Sequence, residues 1–161
     1  MNNIKDLSPD SKIWVYQCNR EFSEAEVLDI SQKAEFFLES WDSHGNALSA
    51  TIEIFYNRFI VIAVDEKQAL SSGCAIDKSI SFIKNIEAFY AVSLMDRMLV
   101  TYKQKGTLHA CKLKEFEQLL AQGTINADTI VFNNMVTTID EFSRNWETPV
   151  KNSWHSRMVK G

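Results

Sequence analysis

Apolar and polar positions alternate along the chain with two different periods, and the changes of period mark its elements. Ile13-Trp14-Val15-Tyr16 is short, β-branched and aromatic, and it stops at the polar Gln17-Cys18-Asn19-Arg20, which predicts a strand. Ser23-Glu24-Ala25-Glu26 has the form of a capping box, with Ser23 at the N-cap, Glu26 reaching back, and Phe22 and Val27 placed as a hydrophobic staple. From there Val27, Ile30, Ala34, Phe37, Leu38 and Trp41 recur at helical spacing, while Lys33, Glu35 and Glu39 take the other side. This predicts a helix with one face on a sheet, ending near Trp41 before the turn formers Asp42-Ser43-His44-Gly45-Asn46.

Leu48 to Phe55 alternates weakly, as a strand with one wet face does, and Tyr56-Asn57 reverses the chain. Phe59 to Val64 is a run of six apolar residues, which predicts a central strand covered on both faces. After a loop to about Gly73, Ile76, Ile80, Ile83, Ile86, Phe89 and Tyr90 lay a broad apolar stripe along a second helix. Arg97 to Tyr102 reads as a fourth strand. Beyond it come a hairpin through Lys105-Gly106, a helix from Leu113 to Gln122 closed by Gly123, and a strand at Ile130-Val131-Phe132. A last short helix opens at the capping-box sequence Thr138-Ile139-Asp140-Glu141, and Pro149 ends regular structure.

Strand, helix, strand, strand, helix, strand is the order of a ferredoxin-like α+β sandwich, with its first and third strands central. The expectation is therefore a single domain: a βαββαβ core over about residues 12–103, and a C-terminal β/α appendage over about 104–161 packed on the sheet face the two helices leave open.

Composition narrows the function classes. The chain has 161 residues, 45% of them hydrophobic, enough for a substantial core, and a net charge of −4, so it carries no general positive field for nucleic acid or anionic lipid. An RNA-binding third strand presents aromatics around a glycine, whereas Arg58-Phe59-Ile60-Val61-Ile62 is aliphatic and has none. The first residues have no signal-peptide pattern and no run approaches the ~20 apolar residues of a membrane span, so a cytoplasmic protein is expected. Cys18, Cys74 and Cys111 are widely spaced without a CxxC pair, arguing against a disulfide framework or structural zinc. Asp42 and His44 are too few to complete a zinc site, and neither a metal nor a cofactor is expected.

Trp41 with His44-Gly45, Tyr56-Asn57-Arg58-Phe59, Ser72-Gly73-Cys74 with Ile76-Asp77-Lys78-Ser79, Val131-Phe132-Asn133-Asn134 and Ser153-Trp154-His155 span nearly the whole chain. In these segments the sequence resembles an uncharacterised family of small bacterial proteins of about this length, often labelled ABC transporter ATPases. The resemblance implies membership and brings no established chemistry to these positions. The ATPase label fails on the residues: a Walker A loop needs a glycine before its Lys-[Ser/Thr], and here Asp77 precedes Lys78-Ser79 with a carboxylate that repels phosphate.

The stretch Ser71 to Ser79 places a thiol at a predicted helix start, where the helix dipole favours a thiolate. Cys74 is thus a candidate nucleophile, with His44 or His155 as base and Asp77 as orienting group. The competing reading makes Cys74 a small buried packing residue and Asp77 a helix cap or an ion-pair partner of Arg58 or Arg97. A small-ligand site without chemistry would draw on His44, Arg58, Asn133, Asn134 and His155. Trp146, Trp154 and His155 form an aromatic tail expected to dock on its own core, the alternative being a partner or a second copy. The expected function is a non-catalytic binding or scaffolding module, dimeric through sheet or tail contacts; the alternative is a thiol-dependent enzyme acting on a small polar or acyl substrate.

Overall fold

The computed structural model describes residues 3–43, 45–66 and 72–159, with Asn46 described by its backbone alone. The chain is α+β and divides into two compact units, residues Met1–Met95 with Thr137–Asp140, and residues Asp96–Val136 with Glu141–Gly161.

In the first unit a 3-10 turn (Ile4–Asp6) precedes β1 (Lys12–Gln17), α1 (Glu24–Ser40), the two-residue strands β2 (Asp42–Ser43) and β3 (Asn46–Ala47), β4 (Ser49–Phe55), β5 (Phe59–Asp65) and α2 (Gly73–Tyr90). β1, β5 and β4 form an antiparallel sheet in that order, with Trp14 opposite Ile62 and Ile52 opposite Ile62 on the other side. Every side chain from Phe59 to Val64 is buried, as the unbroken apolar run requires. Trp14 and Tyr16 of β1, Ile60, Ile62 and Val64 of β5 and Ile52 of β4 share one core with Ile30 and Ala34 of α1 and Ala75, Ile83 and Ile86 of α2. Both helices therefore lie on the same face of the sheet. They run antiparallel: Tyr90, at the end of α2, donates its hydroxyl to Asp29 near the start of α1, and Trp41, at the end of α1, reaches Ala75 in the first turn of α2.

Local chemistry sets the helix ends. Ser23 Oγ accepts from Glu26 N at 3.1 Å while Glu26 Oε1 accepts from Ser23 N at 2.9 Å, the reciprocal box the sequence predicts. α2 is capped by Ser72, whose Oγ accepts from Ala75 N at 3.1 Å. Asp77 lies in the second turn, past the reach of the free N–H groups, so it is not the cap.

The second unit holds β6 (Leu99–Gln104), β7 (Thr107–Lys112), α3 (Leu113–Ala121), β8 (Ile130–Phe132), α4 (Ile139–Asn145, whose first residues belong to the first unit) and β9 (Glu147–Pro149). Its antiparallel sheet has the order β7-β6-β8-β9. Lys105 and Gly106 make the β6–β7 turn, both with left-handed backbone at φ 54° and 78°. Val100, Tyr102, Phe116, Ile125, Val131 and Val150 form its core.

The ferredoxin-like expectation is corrected here. Three strands take the order 1-3-2, but the fourth, Leu99–Gln104, joins the second sheet, and the boundary expected near residue 103 falls at 95/96. The cause is competition for strand edges. A two-residue turn closes β6 onto β7 at little entropic cost, and β8 takes its other edge, leaving none for β1. The start of β1 is instead met by Thr137, whose carbonyl accepts from Ile13 N at 3.0 Å, and by a bridge between Lys12 and Thr138.

Candidate functional site

The outward faces of α1 and α2 enclose a groove of about 950 Å³, within the range of ligand and docking clefts. Its floor is a row of rings. Trp41 lies 5.2 Å from Phe37, and Phe37 stacks on Phe82 at 4.8 Å with 23° between the planes. Ile86 continues the floor toward Phe89. The Trp41 indole N–H donates to the Ala75 carbonyl at 2.9 Å, fixing one end of the groove.

Two aromatic side chains stand on its rims. Phe36 is 77% exposed and Phe89 is 69% exposed, each large enough that burial would gain about 1.5–3 kcal/mol. A helix advances 100° per residue, so of the adjacent pair Phe36-Phe37 only one side chain points into the core, and the same holds for Phe89-Tyr90. Those doublets are the sequence signal for the groove. A periodicity reading passes over it, because it counts Phe37, Phe89 and Tyr90 toward the core stripe and gives Phe36 no place.

Each end of the groove carries one acid and one base. At one end Lys33 Nζ lies 3.0 Å from Asp29 Oδ2 and 3.4 Å from the Phe89 ring centroid, a cation–π contact. At the other end are Asp77, which is exposed, and Lys78, whose Nζ lies 3.3 Å from Asp42 Oδ1. The Lys78 ammonium, followed by the Gly45 amide, holds the Asp42 carboxyl below its ordinary range.

Of the residues singled out by sequence, Cys74 is exposed in the first turn of α2, which corrects the reading of it as a buried packing residue. The candidate base His44 lies outside the described residues. Asp77 lines the groove. Arg58 is half-buried at the head of β5, its carbonyl accepting from Cys18 N at 2.8 Å, and its charge partly offsets the burial that raises the Cys18 thiol.

Asn133, Asn134 and His155 belong to the second unit, and their side chains have structural partners there. Asn133 Oδ1 accepts from Met135 N at 3.1 Å, and Asn134 Oδ1 accepts from the Trp146 indole at 2.9 Å. His155 is 1% exposed, with Nδ1 at 2.7 Å from Ser153 Oγ and its ring stacked on Trp154 at 3.8 Å and near Phe116 at 5.7 Å. Burial, with the Arg157 charge adding, pushes its pKa down to about 4. A buried imidazole held neutral is a packing residue, and the tail that carries it docks on its own unit.

Among the described residues no cluster of three or more His, Cys, Asp or Glu is arranged to hold a metal, and no helix is long and apolar enough to cross a membrane. The chain matches no family model, no curated protein and no solved structure.

Proposed function

We propose that this chain is a cytoplasmic binding module without chemistry of its own, which recognises an apolar protein surface through the α1/α2 groove. The observation that carries this reading is the pair Phe36 and Phe89, 77% and 69% exposed beside a floor already made of rings. Exposed aromatics over a formed cleft are the usual composition of an interface hot spot and an uncommon feature of a solvated face. The two cations at the rim are paired, Lys33 to Asp29 and Lys78 to Asp42, so the groove offers apolar area and orientation in place of a catalytic constellation.

Titration with 1-anilinonaphthalene-8-sulfonate, an apolar fluorescent probe, at high dilution of the protein tests the reading. The wild type should bind and the double variant Phe36→Ser/Phe89→Ser should lose most of that binding while keeping its thermal midpoint. Equal binding by both proteins would remove the groove from the account.

The exposure of Cys74 at the N-terminal turn of α2 favours a second reading, the thiol-dependent enzyme. Iodoacetamide labelling of a variant lacking Cys18 and Cys111 separates the two. Rapid labelling at mildly acidic pH would support an activated thiolate, and labelling only near the pH range of an ordinary thiol leaves the binding module.

A further inference from the structure

The lining of the groove falls into rows along its two helices. Phe37 and Trp41 of α1 and Phe82 and Ile86 of α2 form the floor, each buried or half-buried. On the rims, Phe36 stands on α1 between Gln32 and Ser40, while Asp77, Ser81, Asn85 and Phe89 follow one another at four-residue intervals on α2, all of them exposed. The charges of this lining do not balance. Lys33 is paired to Asp29 at 3.0 Å and Lys78 to Asp42 at 3.3 Å. That leaves the carboxylate of Asp77, which has no partner among the described residues. It lies at the Trp41 end of the groove, two residues past the Ala75 carbonyl that holds the indole.

We infer that the occupant of this groove is an amphipathic helix of a partner protein, carrying beside its apolar stripe a lysine or arginine that meets Asp77. The inference rests on the binding-module reading and names the chemistry of its partner. Main-chain bonding selects the helix. Both walls are helices, whose backbone N–H and C=O groups bond along their own axes, so they offer an extended chain none of the main-chain bonds that strand addition uses. A helix brings its own bonds and needs from the groove only apolar area. The walls suit it in length: α1 has 17 residues and α2 has 18, about 25 Å each at 1.5 Å per residue. The free carboxylate selects the base. An apolar partner laid over Asp77 strips water from a charge and gives nothing back, whereas a lysine or arginine there replaces the lost hydration with an ion pair. Ser40 and Ser81, the smallest side chains of the lining, lie toward this same end and leave room for a long basic side chain.

Fluorescence anisotropy with labelled peptides and the full chain tests this. The probe is a helical peptide of about 18 residues, built from leucine, alanine and glutamine, with its leucines on one face and one lysine beside them in the last turn. A second peptide carries glutamate in place of that lysine, and a third carries two prolines at its centre. Wild type should bind the lysine peptide about fivefold or more tightly than the glutamate peptide, and the proline peptide weakest of all. Asp77→Lys should reverse the order of the first two, while Glu117→Lys, the same charge change at an exposed position of α3, should leave it as in wild type. Phe36→Ser/Phe89→Ser should lose both. Circular dichroism and thermal midpoints establish that the variants are folded. Equal binding of the lysine and glutamate peptides, an order that Asp77→Lys does not reverse or that Glu117→Lys reverses as well, or a proline peptide that binds as tightly as the helical one would each overturn the inference. A wild type that binds no peptide but still binds the fluorescent probe in the groove would overturn it and leave the binding-module reading standing, whereas loss of both would remove the two together.

Discussion

The indole N–H of Trp41 donates to the carbonyl of Ala75 at 2.9 Å in a buried position, joining the end of α1 to the first turn of α2. The same side chain lines the groove and begins its row of rings at 5.2 Å from Phe37. Trp41→Phe keeps a ring there and removes the donor. It should cost about 1–2 kcal/mol and lower the urea midpoint without changing the slope of the transition. A variant as stable as wild type would mean that the hydrogen bond adds nothing over solvation of the two groups.

The second unit should lose stability in mild acid. His155 titrates near 4 in the folded chain against an ordinary 6.5, so between those values the unfolded chain binds the proton and the folded chain does not. The stabilisation is complete above pH 6.5 and is lost as pH falls toward 4, by about 3 kcal/mol in all. His155→Phe should flatten the stability profile across that window, as read by chemical denaturation at several pH values.

Asn134 accepts the Trp146 indole hydrogen, and Trp146 itself is 5% exposed between Phe132 and Phe142. Asn134→Ala leaves that N–H without its partner and should destabilise by about 1–3 kcal/mol, with a shift in tryptophan fluorescence as water reaches the ring. Unchanged stability and emission would make Asn134 free for the ligand role its position in the sequence suggests.

The three thiols should react as two classes. Cys74 is exposed, Cys18 and Cys111 are buried, and burial, with the Glu115 charge adding, pushes Cys111 up to about 11. In the native protein one thiol should label quickly with iodoacetamide near pH 8, with the other two following only on unfolding. Fast labelling of Cys18 or Cys111 would show that their cores open readily.

Most elements were legible because their signals are local. The Ser23–Glu26 box, the unbroken run Phe59–Val64, the turn at Lys105-Gly106 and the strand Ile130–Phe132 each depend on a few neighbouring residues, and each lies where the chain predicts it. What sequence did not give was partnership. Leu99–Gln104 is a strand in either sheet, and only the competition between β1, β7 and β8 for its two edges decides which. His155 and Asn134 look equally suited to a ligand or to a core, and burial decides between those roles. Phe36 falls outside the inward stripe of α1, and as the aromatic neighbour of Phe37 it points away from the sheet.

The most direct test of the groove as a recognition surface is the binding of 1-anilinonaphthalene-8-sulfonate by the wild type, by Phe36→Ser/Phe89→Ser, and by Tyr56→Ser, a control whose side chain is 43% exposed at the β4–β5 turn, away from the groove lining. Wild type and Tyr56→Ser should bind the probe alike, and the double phenylalanine variant should lose most of that binding. Equal binding by the wild type and the double phenylalanine variant would contradict the account.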